Sequence, residues 1–289
     1  MRSGPTKMGP VKFAFNLPTF DHLADARLLA DLAVEVEEAG WDRVLVWDHV
    51  NLAEFGLGNG GPHVDPWIAL ALMAERTERI ELGTCVTPVP RRRPVKLARE
   101  ILTLHDLSGG RFVFGAGMGA GASEFDDLGE ETDGRTRGRM LDDALDILRA
   151  AFAGDPIDHH GDHYTVVSDP LIDSPVDVPI LVAGTWPNPR PFTRAARFDG
   201  VCAARAGFVE PLGADDVAAI CSHVSDHRES DAPFEFGVAG HASGDHDADR
   251  RRVEGLRAAG ATMWIDGTIP RFESLDDART RIRRGPPRP

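Results

Sequence analysis

Short apolar runs and amphipathic helical stretches alternate eight times along this chain, and few architectures accommodate that pattern. Residues 11–16 form a strand-like run, and 23–39 carry apolar residues at helical spacing until Gly40 stops them. The unit repeats with a strand over 44–47, a helix over 67–76 and a strand over 80–84. It continues with a helix over 96–107, a strand over 112–115, a helix over 140–152 and a strand over 180–184. Fainter patterns give helices over 193–197, 217–228, 250–259 and 275–283, and strands over 201–203, 234–240 and 262–266. Eight strand–helix pairs in 289 residues predict an α/β fold, a closed (β/α)8 barrel forming one domain from residue 1 to 289, in preference to an open doubly wound sheet.

Two segments break the rhythm: 51–65 after the second strand and 154–178 before the fifth. Both exceed ordinary connections and are expected to be functional covers that set specificity. The second carries Asp158, His159, His160, Asp162 and His163, but their spacing matches no helix-based ligand pair and no cysteine joins them, so no metal site is expected. The proline-rich end, 283–289, is expected to be a flexible tail.

Charge narrows the partners. With 32 Lys and Arg against 46 Asp and Glu, the net charge of -14 repels nucleic acid and anionic membrane surfaces. Residues 1–10 have no apolar export segment, no stretch is long enough to span a bilayer, and Cys85, Cys202 and Cys221 have no CxxC spacing. A cytoplasmic protein acting on a small molecule is the expectation.

In a barrel, chemistry collects where strands end. After the second strand come Trp47, Asp48 and His49, an acid beside the side chain best suited to moving protons near neutrality. His49 and Asp48 are therefore the catalytic candidates, although a hydrogen-bonded structural pair reads the same way. After the third strand, Cys85 and Val86 lead through prolines to Arg91, Arg92 and Arg93, where a cation for an anionic cofactor tail and a solvated basic cluster are equally good readings. After the fourth, Gly115 to Gly121 offer backbone N–H groups without side chains in the way, yet without a Walker lysine or the setting of a dinucleotide fingerprint. After the fifth, Gly184, Thr185 and Trp186 offer a small-residue turn, a hydroxyl and an indole. Phe15 and Asn16 end the first strand and are candidate pocket-lining residues.

Read in order, these segments resemble the luciferase-like monooxygenase family of FMN-dependent and coenzyme F-420-dependent (F420) oxidoreductases. The resemblance rests on Ala39-Gly40-Trp41-Asp42-Arg43-Val44-Leu45-Val46-Trp47-Asp48-His49, on Leu97-Ala98-Arg99-Glu100, and on Leu107-Ser108-Gly109-Gly110-Arg111. The glycine run and Arg197-Phe198-Asp199-Gly200 follow in matching order. It implies FMN or F420 at the barrel mouth, with His49 near the ring and Asp48 orienting or charging it. Cofactor contacts are implied at Asn16, Cys85, Val86, Gly117, Met118, Gly119, Gly184, Thr185 and Trp186. It also implies a bulge in the third strand with a non-prolyl cis peptide at Cys85–Val86.

Two reactions are compatible with this: oxygenation by reduced FMN and O2, with a separate flavin reductase as partner, or hydride transfer with F420. A non-catalytic flavin-binding barrel is the alternative, and a homodimer is the expected assembly. The family's sugar-phosphate dehydrogenases carry an acid where this chain has Ala120 and a tryptophan where it has Ala53, which sets the chain apart from that substrate class.

Overall fold

The computed structural model describes residues 11–52, 54, 61–207, 210–267 and 274–288. Eight parallel strands close into a barrel. They are β1 (Lys12–Leu17), β2 (Arg43–Val46), β3 (Glu81–Thr84), β5 (Phe112–Gly117), β8 (Ile180–Trp186), β9 (Gly200–Arg205), β10 (Glu235–Gly240) and β11 (Met263–Gly267). The order runs β3-β2-β1-β11-β10-β9-β8-β5, and β5 returns to pair with β3. The expected (β/α)8 barrel is the observed fold. Helices α1 (Ala26–Glu38), α2 (Pro66–Arg76), α3 (Pro94–Leu107), α4 (Gly134–Ala153), α5 (Arg190–Ala195), α6 (Ala214–His227), α7 (His246–Ala258) and α8 (Leu275–Arg284) alternate with the strands.

Alternation along each strand splits the core in two. Ala14, Leu45, Val113, Leu181, Met263 and Ile265 fill the barrel, while Phe13, Phe15, Val44, Val46, Phe112 and Phe114 face the helices. Phe15 therefore does not line the mouth: it is fully buried, edge-on to Trp41 at 5.0 Å. Turn chemistry sets the helix starts. Asp25 and Asp65 accept the first free N–H groups of α1 and α2, and Pro66 supplies a preset φ at the start of α2.

A charge cluster closes the base of the barrel. Arg43, with 2% of its side chain exposed, reaches Glu81 at 2.5 Å and Glu235 at 2.5 Å, and Lys12 joins Glu81 at 2.9 Å. Burial alone would lower the guanidinium's pKa, but the Glu235 and Glu81 carboxylates outweigh it and raise it.

Strand β3 is interrupted where the bulge was expected. The Cys85–Val86 peptide is cis, and the chain then resumes as β4 (Thr87–Pro88) against the same neighbour, β5. The Thr84 hydroxyl patches the gap, donating to Gly115 O at 2.9 Å.

Two expectations about segments are corrected. Residues 154–178 contain an antiparallel hairpin, β6 (Ile157–His160) and β7 (Thr165–Ser168), built onto the helical layer. His163 N donates to Asp143 of α4 at 2.9 Å, and Arg99 of α3 donates to Leu171 O at 2.8 Å. The segment follows α4, so it begins at the end of the barrel away from the strand C-termini. Within it His160 lies 3.0 Å from Asp158, while Asp162 and His163 both face Arg139 of α4. The polar end is not loose through residue 288 either. Pro286 and Pro287 are buried, and Arg288 donates to Gly40 O at 2.8 Å and Asp42 at 2.9 Å with its guanidinium 5.3 Å from the Phe13 ring. Of the first long loop, residues 53 and 55–60 lie outside the described residues, and so do residues 1–10.

Candidate active site at the barrel mouth

His49 leaves the end of β2 with one-fifth of its side chain exposed, and its Nδ1 lies 2.9 Å from Glu124 Oε2. Glu124 is wholly buried on the loop after β5. Its other oxygen accepts from Val50 N at 2.7 Å and Asn51 N at 3.3 Å. Burial would raise the Glu124 pKa, but the His49 hydrogen bond, the His49 and Arg91 charges and the Val50 N–H together lower it. An ionised carboxylate only accepts, so Nδ1 of His49 carries a proton and Nε2 is the nitrogen left to exchange one.

The carboxylate orienting His49 is thus Glu124 and not Asp48. Neighbouring residues at a strand end point to opposite sides, and Asp48 turns toward the helices. There it accepts from Arg92 Nη2 at 2.7 Å and Trp67 Nε1 at 3.3 Å, while Arg92 lies 5.4 Å from the Trp67 ring. Arg91 Nη2 donates to Asp48 O at 3.2 Å and stands 3.8 Å from Glu124 Oε1. Two of the three arginines read as a clamp for an anionic tail are therefore committed to holding the His49 loop.

Past the end of the neighbouring strand, β3, Val86 leans on glycines. A Cβ on Gly117 would come within 2.7 Å of Val86 Cγ2, and one on Gly115 within 1.9 Å of Thr84 O. The absent side chains let Val86 project as an apolar shelf at the mouth. Gly119, at φ +78°, has no room for a Cβ against the Phe125 ring, which would be 2.3 Å away. Cys85 packs on the barrel interior beside Cys202, whose thiol is pushed well up by its hydrogen bond to Cys85 and by burial.

The other expected contacts divide by strand parity. Asn16, two residues beyond Ala14, and Thr185, two beyond Ala183 and four beyond Leu181, lie on the inward faces of β1 and β8. Gly184 and Trp186 face α5: a Cβ on Gly184 would lie 2.8 Å from Phe192, and Trp186 meets the same ring edge-on at 5.9 Å. Met118 leans toward α4, its sulfur 3.5 Å from where a Gly138 Cβ would be. The mouth thus brings together Asn16, Trp47, His49, Cys85, Val86, Gly117 and Thr185, and leaves Met118, Gly184 and Trp186 to helix packing.

A planar ring system fits this mouth. The Val86 shelf is apolar, and Asn16 Oδ1, Trp47 Nε1 and Thr87 Oγ1 are buried without a hydrogen-bond partner among the described residues, where native interiors ordinarily satisfy such atoms. Ala53, which bears on substrate class, lies outside the described residues.

A profile described as luciferase-like monooxygenase matches residues 9–284. Over 187 residues the chain is 33% identical to an F420-dependent glucose-6-phosphate dehydrogenase of Amycolatopsis mediterranei, covering 63% of this chain and 54% of that protein. The match thus spans about half the length of that curated relative. Among solved structures, an F420-dependent secondary alcohol dehydrogenase in complex with an F420-acetone adduct superposes with a TM-score of 0.73 at 16% identity, over 90% of this chain and 93% of that one. The oxygenating constituent of 3,6-diketocamphane monooxygenase from Pseudomonas putida, in complex with FMN, superposes with a TM-score of 0.71 at 14% identity, over 95% and 96%. At such identities these structures establish a shared fold.

Proposed function

The chain belongs to the luciferase-like monooxygenase family, and from that premise we propose that it is a flavin- or deazaflavin-dependent oxidoreductase acting on a small organic substrate at the barrel mouth. The observation that carries this reading is the Glu124–His49 pair, a buried carboxylate fixing an imidazole at the end of the strand next to the Val86 shelf. FMN with O2 would oxygenate the substrate and F420 would exchange a hydride with it; of the two, F420 is favoured by the curated relative's name. The protein's own residues supply the rest. Val86, held forward by Gly115 and Gly117, and Cys85 would hold the ring at the mouth. His49 Nε2 gives or takes the proton that accompanies substrate turnover, and Glu124 keeps Nδ1 protonated so that Nε2 is free to do so. Asp48, Arg92 and Arg91 are positioning residues: they hold the loop that carries His49.

We place the protein in a reducing cytoplasm and as a homodimer, with a separate flavin reductase as partner if FMN is the cofactor. No helix among the described residues is long and apolar enough to cross a membrane.

Titration of the purified protein with FMN and with F420, followed by cofactor fluorescence, tests this reading. Tight binding of F420 alone supports hydride transfer, and of FMN alone oxygenation. Binding of neither at about 100 μM, roughly -5.5 kcal/mol, overturns the redox reading. In the cofactor-binding protein, His49→Ala is expected to keep the cofactor's Kd and to lower kcat by about 10²- to 10⁴-fold.

A further inference from the structure

Beyond the redox reading above, we propose that Cys85 and Cys202 form a peroxide-sensitive dithiol beneath the mouth, whose closure to a disulfide pulls the Val86 shelf out of place.

Cys85 and Cys202 are both free thiols, and both pack in the apolar cluster inside the barrel. Cys202, on β9, is buried with 6% exposure, whereas Cys85 is half-buried. Around the wall between them stand β5 and β8. Those two strands present small residues here. Gly115, two beyond Val113, comes level with Cys85, two beyond Gly83, and Ala183 of β8 is the ladder partner of Cys202. A position with no side chain and another with one methyl group leave the sulfurs room to approach. The two thiols meet across this space, with Cys202 hydrogen-bonded to Cys85.

The chemistry open to such a pair is two-electron oxidation by a hydroperoxide. The hydrogen bond to Cys85 and burial hold the Cys202 thiol well above its ordinary pKa, so it keeps its proton. The attacking sulfur is therefore that of Cys85, which is also the one that reaches the mouth. Cys85 Sγ takes a hydroxyl group from hydrogen peroxide as the O–O bond breaks, and the other oxygen leaves as water with the Cys85 proton. Cys202 Sγ then attacks Cys85 Sγ, the S–O bond breaks, and the hydroxyl leaves as a second water with the Cys202 proton. Two thiols are oxidised to a disulfide and one peroxide is reduced to two waters.

Closure has to move one side. Disulfide sulfurs stand about 2.05 Å apart, well inside the contact distance of two thiols. Strand β9 is tied on both flanks, by six paired residues to β8 and four to β10. Cys85 lies in the break between β3 and β4, where its N–H reaches Val46 O at 2.9 Å. The shift therefore falls on Cys85 and carries Val86 with it.

The test is thiol mapping before and after hydrogen peroxide, by alkylation of the unfolded protein and peptide mass analysis. Free thiols are expected to fall from three to one, Cys221 being the one left, with a Cys85–Cys202 peptide pair that dithiothreitol reverses. The Val86 methyl signals, identified by their loss in Val86→Ala, are expected to shift with the disulfide and to return with the reductant. The Kd of the bound cofactor is expected to rise by about tenfold or more in the same step. Cys202→Ala is expected to keep the Kd of the reduced protein and to stop at a sulfenic acid on Cys85, trapped by dimedone. Cys221→Ser is expected to behave as wild type. Three free thiols after peroxide, oxidised Cys85 with Cys202 still alkylated, a bond to Cys221, or a disulfide that leaves the Val86 methyls in place would overturn the proposal. Thiols and methyls are both read without cofactor, so a disulfide that moves Val86 in a chain binding neither FMN nor F420 would retain the dithiol and defeat only the redox reading.

Discussion

At the scale of single residues, the site depends on a carboxylate that never meets solvent. Glu124 serves His49 and the Val50 N–H together, so replacing it disturbs proton placement and loop position at once. Glu124→Gln keeps the shape but lets either side-chain atom face Nδ1. We expect His49 to become a mixture of tautomers, visible in its ¹⁵N ring shifts, and kcat to fall about tenfold or more while cofactor affinity holds. A single wild-type tautomer in the variant would show that Glu124 does not set the proton. Loss of the Val50 bond adds an expected destabilisation of about 1.5–3 kcal/mol. The pH dependence follows from the lowered Glu124 pKa, against an ordinary value of 4.5. A carboxyl group held below its unfolded value contributes fully above that value and loses its contribution as pH falls through the depressed one. The stability that the Glu124 carboxylate contributes is therefore expected to be lost in acid, below about pH 4.5.

At the scale of elements, the glycines behind Val86 separate two kinds of damage. Alanine at 115 would drive its Cβ into the backbone oxygen of Thr84, so Gly115→Ala should destabilise the whole barrel, read as a lowered Tm. Alanine at 117 would overlap only the Val86 side chain, with Ala183 Cβ 3.4 Å away, so Gly117→Ala should fold and lose cofactor affinity as the shelf is pushed aside. Equal Tm for the two variants would contradict this division. The strands, helices and glycine run are legible in the sequence because burial and turns leave periodic marks, and 43–49 and 85–86 stand out by position. What the sequence hides is which way a buried residue faces. Parallel strands are covered on both sides and read as continuous apolar runs, so nothing in Phe15, Asp48, Gly184 or Trp186 announces that it points outward. Glu124 is hidden for another reason. It follows a run of small residues in an irregular loop, and its partner is 75 positions away, a pairing that only barrel closure creates.

At the scale of the whole molecule, base and mouth do different work. The Arg43 cluster lies at the other end of the barrel from the site and holds the strand N-termini together by charge. Arg43→Met would strand Glu81 and Glu235 at the base and is expected to cost about 3–5 kcal/mol in denaturant unfolding, with cofactor affinity per folded molecule unchanged. A smaller loss, or an affinity change, would mean that the base is not the independent plug described. The closing seam is weaker. Strands β8 and β9 share six paired residues, whereas β3 and β5 share two before the bulge, and β4 adds two more, one of them Pro88 with no N–H to give. The shelf for the cofactor is therefore set into an interrupted part of the ring. Whatever rests on Val86 spans that gap from inside, so occupancy and closure become one equilibrium. At a hundred times its Kd a ligand there adds about 2.7 kcal/mol to the folded state. Amide hydrogens flanking the seam would exchange slowly when the mouth is filled and quickly when it is empty, which makes this broken seam of the barrel its own occupancy gauge.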